Sequence, residues 1–257
     1  MSHPNNPTLE LIHRHASVRQ YKPDPLPASL IETIVQAGQR ASTSSNLQTY
    51  SVVAVTDAAK RQRLAELCGN QGFIAEAPVF LAWLADLARL ERVCELRGYR
   101  QESGYLENFL VAAIDAAIAA QNAALAAESL GLGMCYIGSI RNEPEAVIEL
   151  LRLPPLTFPV VGMTLGWPAK EPKLKPRLPL QAILHWETYN TDQDAALLEY
   201  DRTMAETGIY AKRQIAYPGK PEWMEDYGWL EHSARRAALA ARTGIRAVLE
   251  KQGFGLK

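Results

Sequence analysis

The sequence predicts a β-sheet covered on both faces by helices, with more helix than strand. Two patterns carry this. Four short apolar or β-branched runs, at 50–56, 78–84, 134–137 and 158–166, alternate with longer stretches of helical periodicity. One of those stretches, 105–130, outruns every strand and holds ten alanines in the sixteen residues from Ala112 to Ala127. Strands interleaved with helices call for helices packed on a sheet, and helices this long argue against an all-β fold. At 257 residues the chain fits one large domain or two small ones, and it can bury about 70–75% of its unfolded surface without covalent staples.

Each element has a local reason. Residues 8–14 carry a short helical stripe, Leu9 and Ile12. Pro23, Pro25 and Pro27 hold the next stretch extended. Ser29 is placed to cap a helix through 41, with Leu30, Ile31, Ile34 and Val35 as its buried face. The hydroxyl- and amide-rich run 41–48 reads as a loop. After the strand at 50–56, Asp57 caps a helix that Gly69 ends. The strand at 78–84 is apolar throughout, so it is expected inside. An amphipathic helix over 86–97 follows, through Leu87, Leu90, Val93 and Leu96.

In the long helix 105–130, Leu110, Ile114, Ile118 and Leu125 form one stripe, and the alanines let a second helix approach closely. The pattern leaves open whether that neighbour is in the same subunit or in a partner. Gly131 and Gly133 close the helix, and Asn142 with Pro144 opens a short one to Leu151. Residues 167–179 hold four prolines with Lys173, Lys175 and Arg177, so they run extended over a surface. Helices are expected at 192–207 and 230–252, around a Tyr-, Pro- and Gly-rich segment at 208–228. No compositional break precedes this last third. Residues 191–257 are therefore expected as a helical excursion from a core spanning 1–190.

Composition excludes several classes. Lysine and arginine number 27 against 28 aspartates and glutamates, a net charge of −1, which gives no support to a nonspecific nucleic-acid or anionic-membrane binder. Cys68, Cys94 and Cys135 are too few and too scattered for a disulfide framework or a four-ligand zinc site. Met1 to Pro7 is polar, without an apolar signal core, and Asp115, Gln121 and Asn122 make 111–127 a poor membrane span. The expectation is a soluble cytoplasmic protein in a reducing compartment.

Most catalytic signatures fail. His13 and His15 alone do not make a metal site, and none is expected. No Gly-x-Ser-x-Gly elbow or Walker A run exists, and Gly131-Leu-Gly133 follows a helix and lacks the third glycine of a dinucleotide fingerprint. A distributed set suited to an anionic cofactor remains. His15, Ser17 and Arg19 alternate, so in an extended chain they project to one face and can meet one phosphate. Ser44 and Ser45 offer hydroxyls and backbone N–H groups. Lys175 and Arg177 alternate on the Pro-rich arm.

Six stretches resemble the nitroreductase-like superfamily, in its larger subgroup of NADPH-dependent nitroreductases and flavin reductases of the oxygen-insensitive nitroreductase A type. They are His15-Ala-Ser-Val-Arg-Gln-Tyr21, Ser42-Thr-Ser-Ser-Asn-Leu-Gln48, Gly69-Asn-Gln71, the run Ala120 to Gly133, Tyr136-Ile-Gly-Ser-Ile-Arg-Asn142, and Leu165-Gly-Trp-Pro168 with Leu174-Lys-Pro-Arg-Leu-Pro179. The last of these is the most specific to the subgroup.

The resemblance implies an α+β, nitroreductase-like fold: a central, mostly antiparallel sheet flanked by helices, with a C-terminal excursion, in an intertwined homodimer. FMN would be bound at the subunit interface, with NADPH as co-substrate. Carried onto this sequence, His15, Ser17, Arg19, Lys175 and Arg177 are implied contacts to the flavin phosphate, ribityl chain and pyrimidine end. Ser44, Ser45 and Gln71 are implied contacts to the ribityl chain or ring. Ile137, Gly138 and Ser139 would form the loop whose backbone meets the ring. The family arginine that grips the NADPH 2′-phosphate aligns near Ala211, beside Lys212 and Arg213. Two departures stand out: Ala16 replaces a usual arginine, with Arg14 adjacent, and Gly138-Ser139 replaces Gly-Gly.

The implied activity is ping-pong: hydride passes from NADPH to flavin N5, then two electrons go to nitroaromatics, quinones or free flavin. No protein acid or base is required. A flavin-binding redox sensor or carrier without turnover is the alternative reading. No nucleic-acid or membrane partner is expected.

Overall fold

A computed structural model of the chain describes residues 6–257. It divides into two compact units, residues 1–173 with 244–257, and residues 174–243.

The first unit is built on four strands: β1 (Tyr50–Val55), β2 (Val79–Asp86), β3 (Gly133–Ile137) and β4 (Thr157–Gly166). Their order across the sheet is β1-β2-β4-β3, and every neighbouring pair is antiparallel. The expected antiparallel sheet is therefore present, with β3 on one edge. Every residue of β2 is buried. Its side chains alternate between two cores, as the period of two requires. Val79, Leu81 and Trp83 join Met134, Met163 and Leu165 on one face. Phe80, Ala82 and Leu84 join Cys135 and Ile137 on the other.

Helices cover both faces. The first face meets α2 (Ala28–Gly38) and the long α6 (Leu106–Ser129). The second meets α3 (Ala58–Leu67), α4 (Gly72–Glu76) and α7 (Pro144–Leu151). Asp57 caps α3 as its position predicts, its carboxylate accepting from the Lys60 N–H at 2.8 Å. The short α4 was not legible in the sequence. A third cluster gathers Phe158, Leu156 and Ala112 with Val248, Leu249 and Phe254 from α10 (Ile245–Lys251) and the tail beyond it. Phe109 stands edge-on to Phe158 and Phe254, at 5.8 and 5.5 Å.

The structure orients α6, and the alanines do take the close approach expected of them. Its buried residues are Asp115 and alanines: Ala112, Ala116, Ala119, Ala120, Ala123, Ala124 and Ala127. The larger stripe Leu110, Ile114 and Ile118 points outward, and Ile114 is 54% exposed. The reason is distance. Gly38 of α2 lies so close that a Cβ there would sit 3.0 Å from the Ala119 carbonyl and 3.1 Å from the Trp83 ring. At that separation only a methyl fits between helix and sheet. By length and composition α6 could cross a membrane, but this alanine face is spent against the sheet.

Smaller differences lie at helix ends and on exposed helix faces. The second helix starts at Ala28 after extended Pro27, which leaves Ser29 inside the first turn, and it ends at Gly38. In α5 (Ala88–Leu96), Val93 and Leu96 are exposed. So are Leu9 and Ile12 of α1 (Pro7–His13), which Asn6 caps. The single helix expected at 230–252 is two, α9 (Trp229–Ala238) and α10. The break has Leu239 extended and Arg242 left-handed, where the chain returns from the second unit to the first.

The second unit pairs α8 (Asp194–Glu206) with α9. The Tyr200 and Trp229 rings meet edge-on at 5.2 Å, and the Leu230 N–H donates to the Asp201 carboxylate at 2.7 Å. The connecting segment 208–228 is irregular. Gln214 both donates to and accepts from the Met224 backbone, at 2.7 and 2.8 Å.

Candidate functional site

The segment from His15 to Tyr21 has almost no regular structure of its own, yet the sheet edge holds it firmly. The Val18 N–H donates to the Met134 carbonyl of edge strand β3 at 2.8 Å. The buried Tyr21 hydroxyl donates to the Val18 carbonyl and pairs with Thr164 Oγ1, both at 2.7 Å. Burial pushes that phenol well above its ordinary pKa, so it stays a neutral strut. Gly133 makes the approach possible: a Cβ there would lie 2.5 Å from a Val18 methyl. With Val18 buried inward, Arg19 is exposed, and His15 and Ser17 are half-buried.

His15 Nδ1 lies 2.6 Å from Glu128 Oε1 near the end of α6. The carboxylate accepts, which assigns the Nδ1 proton and leaves Nε2 for another partner. Arg19 lies over the Phe73 ring, its Cζ 5.8 Å from the centroid. Phe73 belongs to α4, and the residue at that helix's N-cap is Gln71. Gln71 Nε2 donates to Ser139 Oγ at 2.6 Å and to the Cys68 carbonyl at 2.8 Å. Ser139 follows Ile137, the last residue of β3, in the turn Gly138–Arg141. A Cβ on Gly138 would find nothing nearer than an Arg141 nitrogen at 3.6 Å, so its backbone is open to a ligand.

His15, Ser17, Arg19, Gln71, Ile137, Gly138 and Ser139 thus share one edge of one sheet. Their chemistry suits a planar ring joined to an anion: a guanidinium, an imidazole, hydroxyls, an amide and an approachable main chain.

Ser44 and Ser45 lie elsewhere. They start a turn, Ser44–Asn46; Ser45 and Asn46 within it, and Gln48 two residues beyond, all have left-handed backbones. Non-glycine residues hold such angles only where their surroundings enforce them. The enforcer is the buried Asp115 of α6, which accepts from the Ser44 N–H at 3.0 Å, the Thr49 N–H at 3.1 Å and the Thr49 hydroxyl at 2.7 Å. Asp115 and Glu128 are thirteen residues apart, about 20 Å along the helix and roughly 140° around it. Within one protomer, the serine turn and His15 therefore hang from opposite sides of α6.

Lys175, Arg177, Lys212 and Arg213 belong to the second unit, and all four are exposed. The Tyr200 hydroxyl donates to the Pro176 carbonyl at 3.1 Å, tying the Lys-Pro-Arg arm to α8. Lys212 and Arg213 lie in the turn after that helix.

Spacing missed Glu128, Asp115, Cys68 and Phe73. Glu128, Asp115 and Phe73 meet their partners across gaps that local periodicity cannot span, 113 positions for His15 and Glu128, whereas Cys68 offers only a main-chain carbonyl to Gln71 three positions on, which no side-chain pattern marks. Among the described residues no cluster of His, Cys, Asp or Glu is arranged to hold a metal ion.

Residues 12–167 match the Nitroreductase family, and residues 175–257 match the Nitroreductase family, C-terminal domain. The chain is 43% identical over 207 residues to the FMN reductase (NADPH) of Bacillus subtilis, covering 78% of this chain and 83% of that one. It is 36% identical over 256 residues to the oxygen-insensitive NADPH nitroreductase of Salmonella typhimurium, covering 98% and 100%. The solved NADPH:FMN oxidoreductase from Vibrio harveyi, complexed with NAD+, superposes with a TM-score of 0.86 at 34% identity, over 98% of this chain and all of that one. The open sheet edge, the cation and amide set along it and these likenesses lead to one conclusion: the chain belongs to the nitroreductase family.

Proposed function

We propose that this protein is an FMN-dependent NADPH oxidoreductase that passes two electrons to nitroaromatics, quinones or free flavin. The observation that carries the reading is the convergence of Arg19, Gln71, Gly138 and Ser139 on the β3 edge beside His15 and Ser17. Bound there, FMN supplies the chemistry, accepting hydride from NADPH and delivering electrons to the acceptor.

The chain's own residues bind and tune. His15, Ser17 and Arg19 neutralise and orient the phosphate and the electron-rich end of the ring, and Arg19 supplies fixed positive charge where reduction adds negative charge. Glu128 holds the His15 ring in place. Ile137, Gly138 and Ser139 present main chain to the ring, and Gln71 an amide. Lys175 and Arg177 are proposed contacts to the same cofactor on resemblance alone. No side chain is required as a general acid or base, so an acceptor needs only to be flat enough to stack.

A homodimer is part of the proposal. Leu110, Ile114 and Ile118 leave an apolar stripe on α6, and the Ser44–Ser45 turn hangs some 20 Å along that helix from the His15 anchor. A second copy packed on the stripe brings its serine turn to the first copy's sheet edge. A cytoplasmic location accords with this chemistry, since NADPH is a reductant of the cell interior.

The first test is the visible spectrum of the purified protein. A flavin spectrum is expected, bleaching on anaerobic addition of NADPH and returning with a quinone. A colourless protein that FMN does not colour defeats the reading. A yellow protein that NADPH does not bleach is the sensor or carrier. The second test concerns NADPH over NADH. Exchanging Lys212 and Arg213 together for alanine should raise KM for NADPH about tenfold and leave NADH nearly unchanged, since two charge-assisted contacts to a 2′-phosphate are lost. Equal changes for both nucleotides would remove these residues from phosphate recognition.

A further inference from the structure

The side-chain amide of Gln71 is gripped from within. Its nitrogen lies 2.8 Å from the Cys68 carbonyl oxygen and 2.6 Å from the Ser139 hydroxyl. A carbonyl oxygen only accepts, so the NH2 end of the amide must face Cys68 and the oxygen must face away. Both NH2 protons are then spent, one on each partner. Gln71 Oε1 is the end of the amide turned away from both partners. The Cys68 side chain beside them is buried. Burial pushes that thiol up to about 12, so it remains neutral through the physiological range.

We propose that Ser139, together with the Cys68 backbone, is a positioning residue that fixes the polarity of the Gln71 amide, so that the protein meets the cofactor there with an acceptor and no donor. This rests on the placement of FMN at the β3 edge proposed above. A freely rotating glutamine serves acceptors and donors alike, whereas a locked one selects. The ring carbonyls, the N5 lone pair and the phosphate are acceptors and cannot pair with Oε1. The partner is a donor of the cofactor: the ring N3–H, which is the one N–H of the oxidised isoalloxazine, or a ribityl hydroxyl.

The experiment is a double-mutant cycle on FMN affinity, read by fluorescence quenching as FMN is titrated onto the full-length apoprotein. Gln71→Leu should raise Kd about tenfold and Ser139→Ala about three- to tenfold. The double variant should bind no more weakly than Gln71→Leu alone, because Ser139 acts only through the amide. Losses that multiply, or an unchanged Kd for Ser139→Ala, overturn the proposal. An unchanged Kd for Gln71→Leu removes FMN from this residue, and the inference goes with that placement.

Two analogue arms identify the donor and detect polarity directly. 3-Methyl-FMN lacks the ring donor, and ribityl-deoxy FMNs each lack one hydroxyl. Wild type should reject one of these about tenfold relative to FMN, Gln71→Leu should not discriminate, and Ser139→Ala should fall between them. If the wild type and Gln71→Leu discriminate equally against every analogue, the amide presents no selective acceptor and the proposal falls.

Discussion

The two units of this chain are held together by different means. In the first, the sheet separates apolar clusters, and all seven residues from Val79 to Ala85 are buried hydrophobics. In the second, no buried residue belongs to an apolar cluster. Its centre is a charge. Arg235 is 2% exposed and donates to Glu231 at 2.7 Å and to the Ile215 and Pro221 carbonyls at 2.8 and 3.0 Å, with Tyr227 beneath it at 5.3 Å. The contrast matches the division of labour proposed above. A resident cofactor needs groups fixed to fractions of an ångström, and a pleated edge backed by packed side chains provides them. Lys212 and Arg213, proposed above to meet a co-substrate that comes and goes, lie on a segment stapled by hydrogen bonds with little apolar burial, which is the low-stability end of a fold.

The sharpest way to break this comparison is Arg235→Ala. It strands two part-buried carbonyls and a half-buried glutamate at once, which places the cost toward the lower end of the about 3–5 kcal/mol typical of breaking a fully buried pair. The loss should be local. Hydrogen exchange should show lost protection around 208–228, while the amides of β2 keep theirs. Simultaneous loss in both regions would mean that the two units unfold as one.

Asp115→Asn makes the complementary cut in the first unit. One carboxylate oxygen becomes an NH2 that must face an N–H of Ser44 or Thr49, so a charge-assisted bond is replaced by a clash, at a cost of about 1.5–3 kcal/mol. Because α6 is the backbone of the main core, this loss should appear as a lowered urea midpoint for the whole first unit. A change confined to residues 41–49 would show that the serine turn is peripheral to that core.

What was legible in the sequence follows the same line. The buried strand, the Asp57 cap and the alternation of His15, Ser17 and Arg19 around inward Val18 are statements about neighbours in the chain, and spacing carries those. Periodicity groups Leu110 and Ile114 on one stripe of α6 but does not say which way that stripe faces. Which face turns inward was decided by the gap at Gly38, a distance between two helices that no stretch of sequence contains. The break between α9 and α10 was hidden for a similar reason: both halves are good helix, and the chain changes units between them. Gln71, Ile137, Gly138 and Ser139 entered through resemblance, since the pairing of Gln71 with Ser139 spans 68 positions. Asp115, Glu128 and Cys68 carry no motif. They are supports, recognisable only once their partners are beside them.

The mildest expected effect lies in the second unit and concerns pH. His232 stacks on Tyr210 at 4.2 Å and meets Tyr227 edge-on at 5.8 Å. Burial, and then the charge of Arg236, hold its pKa below the ordinary value. The neutral ring is therefore the form the folded unit favours. In the unfolded chain the imidazole titrates near 6.5. As pH falls through that value the unfolded state takes up the proton first, so stability is full above about 6.5 and declines below it until the folded pKa is passed. His232→Phe keeps a ring on Tyr210 and removes the titration. Protease susceptibility of the 208–228 segment, followed from pH 7 to pH 5, should rise in the wild type and stay flatter in the variant. The β2 core should resist alike in both proteins. Parallel pH curves for the two proteins would relieve His232 of a role in this acid sensitivity.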